Sequence, residues 1–340
     1  MTGLVALALG IGLASGARSA PPAGNERRAV DADAPEGCLR PARPERSEFW
    51  RDVACTDVVD AQPRSRSALA RQLVRRLRLL LLSVRDEGPP PDRTLLLGLA
   101  LRAHELDPGN PIAAFELGRL LADGEGTPAD WEMALDVLAR AARLAPTALD
   151  ADVAFERAIA LTRLHRFAEA ASEYERALAA LVDPDAGAAH VVRANLAEVT
   201  MLSGDLERAV QHFERARDGA ARVGDARGVA LALWGLAVAV DRLGEHEDAL
   251  RHAADAIDQV DGGMAVLRSP GVFFEPPHEL HWYEALGYEA RALRAASAAE
   301  RDRARARALA SWQAFLEEGG GSGPWADIAR TRRRALEETR

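Results

Sequence analysis

Residues 204–216 read GDLERAVQHFERA, and residues 244–256 read GEHEDALRHAADA. Each opens on glycine, sets an alanine five positions later (Ala209, Ala249) and a second alanine seven beyond that (Ala216, Ala256), with Phe213 or Ala253 between them. A four-then-three spacing stacks three residues on one face of an α-helix. Small side chains at two of the three positions let a neighbouring helix come close, while the central residue fills the gap between them.

The same spacing recurs at Leu96, Ala100 and Ala103, at Ala134, Leu138 and Ala141, and at Ala170, Tyr174 and Ala177. The turn glycine is present at Gly204 and Gly244, whereas His165 stands in its place ahead of Ala170. A proline follows the last small residue at Pro108 and Pro146 and slips to Pro184 in the next unit. Upstream of each motif lies a Leu-Gly or Leu-Ala pair: Leu117-Gly118, Leu196-Ala197 and Leu236-Ala237. Helical stretches follow one another with breaks at 88–91, 108–111, 124–128, Pro146, Pro184, Gly204, Gly224, Gly244, 262–277 and 319–324, and no stretch alternates with period two. Thr127-Pro128 and Gly323-Pro324 are expected to put proline at the first helical position.

Over residues 95–261 these motifs resemble the tetratricopeptide repeat family. The resemblance implies an all-α fold, a right-handed helical solenoid of antiparallel helix pairs with five to six units. It also implies a non-catalytic protein that binds other proteins. The match is imperfect: extra residues surround 124–131, and Gly204 and Gly244 lie 40 positions apart where the family usually spaces such glycines by 34, so long first helices or loops must absorb the surplus. Four segments follow: a leader over 1–20, a Pro- and Arg-rich linker over 21–63, the repeat array over 64–261, and a degenerate pair with a polar capping helix over 262–340. Solenoids need such caps to cover the last apolar face.

Composition agrees with close-packed helices: 48% apolar and 28% charged residues allow a buried core, with only 5% aromatics. The net charge of −9 argues against general nucleic-acid binding, which needs a cationic footprint. Every basic side chain apart from histidine is arginine. The uncharged run 2–15 is too short to span a bilayer and reads as a secretory h-region, or as an interfacial leader since no basic residue precedes it. Cys38 and Cys55, the only cysteines, would pair in an oxidising compartment and stay as thiols in a cytosolic one. The expected location is periplasmic, secreted or at the cell surface, with the cytoplasm as the alternative.

The family lines its inner face with first-helix residues. On the motif alignment these are Phe155, Ile159 and Arg163, then Ala194, Glu198 and Met201 with Asn195 beside them, then Trp234, Val238 and Arg242. An apolar floor flanked by Arg and Glu suits an amphipathic peptide or helix, and the competing interpretation is that Phe155 and Trp234 only pack between units. The carboxylate-clamp version of the family needs basic neighbours around Asn195, and these are absent.

No cofactor is expected. His278 and His281 lie three apart with Glu279 and Glu284 near, whereas the zinc-protease motif needs a four-residue spacing, and no third metal ligand is legible. A metal-dependent enzyme is therefore the weakest alternative, behind a cytoplasmic regulatory module acting in trans. The glycines of 319–323 lack the lysine of a phosphate loop. The stretch 64–85 carries seven arginines, Arg64 and Arg85 at its ends, and no acid. It reads as the first solenoid helix, or as a basic amphipathic helix for peripheral contact with anionic lipid. The expected partner is a protein or peptide, in an oligomeric state the sequence leaves open.

Overall fold

The computed structural model describes residues 4–5, 63–83, 92–123, 126–147, 149–181, 189–269 and 271–338. Cys38, Cys55 and most of the leader lie outside the described residues. The chain forms two compact units, Met1–Leu13 with Arg157–Arg340, and Ala14–Glu156.

In the unit Ala14–Glu156, α1 (Pro63–Ser83), α2 (Arg93–Leu106), α3 (Pro111–Ala122) and α4 (Pro128–Leu144) follow in order, each packed on the next. Their starts are fixed by side chains that accept the otherwise orphaned N–H groups of the first turn. The Asn110 Oδ1 accepts from the Ile112 and Ala113 amides at 3.0 and 3.2 Å. Thr127 and Asp130 form a reciprocal capping box around Pro128 at the first helical position, as the sequence predicts. Leu138, at the centre of the repeat spacing, is fully buried with Ala114, Phe115 and Val153. Gly118 admits it: a Cβ there would stand 2.5 Å from the Leu138 Cγ.

On α1, Leu73 and Leu77 are in the core while Leu79 is exposed. Arg71, Arg75 and Arg78 line a recess of about 380 Å³ with Val74, Leu79 and Ile112, and Arg78 pairs with Glu116 at 2.6 Å. The described residues of this segment therefore form a solenoid helix with a basic outer face. No helix among the described residues is long and apolar enough to cross a membrane.

Helix α5 (Asp150–Arg163) contains the boundary between the units. Beyond it come α6 (Phe167–Ala180), α7 (Ala189–Leu202), α8 (Leu206–Arg222), α9 (Ala226–Arg242), α10 (His246–Gln259), α11 (Glu279–Arg294), α12 (Ala298–Glu317) and α13 (Ala326–Glu338). Helices α7 and α8, α9 and α10, and α11 and α12 form antiparallel pairs, and α7 packs on α9 and α9 on α11 along one face. The central residues of the motifs, Tyr174, Phe213 and Ala253, are all buried. The 40-residue spacing is absorbed by helix length, since α8 and α9 each run 17 residues where α6, α7 and α10 run 14.

Gly204 and Gly244 hold left-handed φ values of 90° and 92°. His165, in the same place, also adopts φ 58°, a conformation that most side chains avoid. Its ring is held by Glu275, whose Oε1 lies 3.1 Å from Nε2.

The structure departs from the sequence expectation at the C-terminal end. Helix α13 starts at Ala326, so Pro324 precedes it by two residues and the single turn Gly320–Ser322 intervenes. Residues 262–340 are joined to the preceding pairs within one unit, because the segment after α10 folds back over the first helices. That segment holds a 3₁₀ turn (Gly263–Arg268) and a short strand β2 (Val272–Phe273), which pairs antiparallel with β1 (Leu4–Val5).

Candidate functional site

The first helices α7 and α9 carry the sequence-predicted groove, and the structure buries nearly all of it. Asn195, Glu198 and Met201 on α7 and Trp234, Val238 and Arg242 on α9 lie in the interior, as does Ile159 on α5. Arg163 keeps only its edge in solvent, and Phe155, in the other unit, is half-buried. An open groove with Trp234 as an exposed anchor is therefore not what the chain forms. The physical reason is close approach by α11: a Cβ on Gly287 would lie 2.8 Å from the Trp234 Cη2 and 2.7 Å from the Met264 Cε. Glycine at this point lets α11 and the 3₁₀ turn cover the tryptophan.

What covers the face is polar as well as apolar. The Tyr283 hydroxyl donates to both Glu198 oxygens, at 2.9 and 3.1 Å. Burial pushes the Glu198 carboxyl up to about 8, against the opposing effect of that hydrogen bond; Glu279 adds to the shift and Arg242 resists it. The same burial, together with Glu198 itself, raises the Tyr283 phenol. Arg242 donates through Nη2 to Glu279 and lies between the rings of Trp282 and Trp325, 4.8 and 5.1 Å from their centroids. Its Nε and Nη1 make no hydrogen bond among the described residues. Arg163 stacks on Phe273 at 3.7 Å and pairs with Glu275 at 3.1 Å. Phe274 packs edge-on against Tyr283, so the stretch 273–283 docks on the repeats as a continuous cover.

A second cluster has no counterpart among the sequence motifs. The Asp241 carboxylate, deep in the interior, accepts from the Trp282 indole N–H at 3.0 Å through Oδ2 and lies 2.7 Å from the His246 ring through Oδ1. The Glu289 carboxylate accepts from the Trp312 indole N–H at 2.7 Å, and burial raises its pKa while Arg332 and Trp312 oppose the rise. The two indoles meet edge to face at 5.0 Å. Arg332, from α13, stands 3.0 Å from Glu289 and 3.7 Å from Asp241. The available signal was compositional: three of the six tryptophans fall beyond residue 280, and Asp241-Arg242 closes an apolar run of twelve residues.

The histidines at the start of α11 do not converge. His278 packs its ring edge-on against Phe315, while His281 meets Glu284 and Glu318 at 3.4 and 3.1 Å. Among the described residues, no group of three or more His, Cys, Asp or Glu is placed to hold a metal ion.

A family model described as tetratricopeptide repeat matches residues 185–260, the stretch that contains α7 to α10. No curated protein matches the chain. Among solved structures, the chain is similar to MamA from Desulfovibrio magneticus RS-1, at 16% identity over 57% of this chain and 94% of that one, with a TM-score of 0.44. It is similar to YrrB, described as a TPR protein with an unusual peptide-binding site, at 19% identity over 65% and 96% of the two chains, TM-score 0.42. It is also similar to a Rap protein complexed with Competence and Sporulation Factor, at 12% identity over 86% and 88%, TM-score 0.43. At these values no property of those proteins carries over. Residues 185–260 thus carry tetratricopeptide repeats, and the buried Ala-x₃-Φ-x₂-Ala faces of the neighbouring helices continue the same all-α helix-pair packing, a fold of the kind that serves as a protein-interaction scaffold.

Proposed function

We propose that the chain is a non-catalytic scaffold whose first-helix face, from Arg163 to Arg242, takes up a protein segment in place of the residues of its own chain that cover it. The observation that carries this reading is the chemistry of that face. A purely structural interior would be apolar, because buried polar groups destabilise unless each is paired. Here Glu198, Asp241 and Arg242 are buried, and Tyr283, Trp282 and Glu279 of the returning chain partner them, with His246 of the adjoining α10 a second partner of Asp241. Such a face is built to bind helices and extended segments through polar contacts, with Arg stacked on aromatic rings.

The test is crosslinked capture from intact cells, comparing the wild-type chain with Arg163→Ala, whose side chain is at the edge of the cover. The expected result is loss of specific crosslinks with helicity unchanged; an identical crosslink pattern would remove the first-helix face as the binding surface.

The reading includes export to the periplasm or cell surface, supported by the uncharged run 2–15 and by the two cysteines. One observation favours the cytoplasmic alternative: Leu4–Val5 pairs with Val272–Phe273, a contact that cleavage of a leader would abolish. Cell fractionation, with intact mass to locate the mature N-terminus, separates the two.

A further inference from the structure

We propose that α13 is a displaceable internal ligand of the first-helix face, and that the surface beneath it receives a partner helix carrying an aromatic residue and an arginine seven positions apart. This deepens the scaffold reading and rests on it.

The receiving surface is assembled without α13. Asp241 and Glu289 are fixed by the Trp282 and Trp312 indoles, which belong to α11 and α12 and pack on each other. Arg242 is fixed by Glu279 and by one face of Trp282. The surface therefore presents a braced pair of carboxylates beside a flat cation whose second face is open to an aromatic ring. Onto these two points α13 and the residue before it bring Arg332 and Trp325. Trp325 stands just ahead of the first turn, its carbonyl accepting from the Ala329 amide, and Arg332 follows about 10 Å along the axis, so the start and the middle of α13 reach the two points.

The helix itself is weakly anchored. Only Ala326 and Ala329 are buried. Its further bonds run from Arg333 to the Gln313 side chain at 2.6 Å, from Arg330 to the Gly321 carbonyl at 2.6 Å and from Arg305 to the Leu336 carbonyl at 3.1 Å. The connection 319–323 is four glycines and a serine, folded as the 3₁₀ turn Gly320–Ser322 with Gly320 packed against the Phe315 ring. Two further features define the incoming ligand. Leaving Asp241 and Glu289 buried without a cation is strongly unfavourable, so a competitor lacking arginine is rejected. The Nε and Nη1 donors of Arg242, buried and without a hydrogen-bond partner among the described residues, offer a competitor one contact that α13 does not make.

The probe is a fluorescent peptide with the sequence of residues 323–338, added to the full-length protein. In the wild type its own helix competes, so binding is weak. In the Trp325→Ala/Arg332→Ala double variant the face is vacant for the peptide, and the apparent affinity is expected to rise by about tenfold or more, as the competent fraction grows. A peptide with alanine in place of the same tryptophan and arginine is expected not to bind. Equal binding, or none, in wild type and a folded double variant overturns displaceability. If the double variant does not fold, hydrogen exchange on the wild type decides: α13 amides exchanging about tenfold or more faster than the slowest of α12 support local release, and equal rates make α13 a permanent cap. Peptide binding in vitro together with an unchanged crosslink pattern for Arg163→Ala would retain the α13 surface and discard the wider scaffold reading.

Discussion

The Tyr283 hydroxyl and the Glu198 carboxyl tie α11 to α7 at 2.9 Å across the intervening α9. This contact closes the first-helix face from within the chain, and it sets the acid–base behaviour of the fold. Burial raises the Glu198 carboxyl from 4.5 to about 8. The folded state therefore holds a proton that the unfolded state releases, and stability contributed by this site falls as pH rises between those values and levels off above them. Glu275 and Glu289, raised by burial in the same direction, act with the same sign.

Glu198→Gln replaces the protonated acid by a neutral amide that still accepts from Tyr283. The variant is expected to lose less stability than wild type between about pH 5 and about pH 9. Thermal midpoints at both pH values check this, and parallel losses in the two proteins would place the titration elsewhere.

Trp234→Ser is expected to act on folding. A fully buried tryptophan removed from beneath α11 leaves a cavity costing about 3–5 kcal/mol. Urea unfolding is the measurement; a change below about 1 kcal/mol would mean that α11 does not pack over the indole.

Gly235→Ala and Gly204→Ala separate crowding from backbone conformation. A Cβ on Gly235 would lie 2.1 Å from the Phe213 ring, and such overpacking costs about 1–3 kcal/mol. Gly204 has open space around it at φ 90°, so its alanine variant suffers only the left-handed conformation, about 1–2 kcal/mol. Pairing each with Phe213→Leu in a double-mutant cycle is expected to couple with Gly235→Ala and leave Gly204→Ala additive.

Thr127→Ala removes one side of the capping box that starts α4. The expected loss is about 1 kcal/mol, read as a lowered thermal midpoint with helical content retained, and Thr127→Ser is expected to restore it.

The sequence by itself determined the repeat. Ala209, Phe213 and Ala216, and their equivalents, fix hairpin packing because each pair of helices meets a near neighbour, so residue spacing within one helix states which face is buried. The turn at His165 was also legible as a place in the pattern, although its left-handed φ and its Glu275 partner were not. Only the tertiary structure decided the fate of the first-helix face. Whether Trp234, Glu198 and Arg242 meet water, a partner or the chain itself depends on where residues 263–338 return, and that return is set by single long-range contacts: a glycine at 287, a hydroxyl at 283, an arginine at 332. Such contacts have no period, so nothing in the local pattern of α7 or α9 announces them.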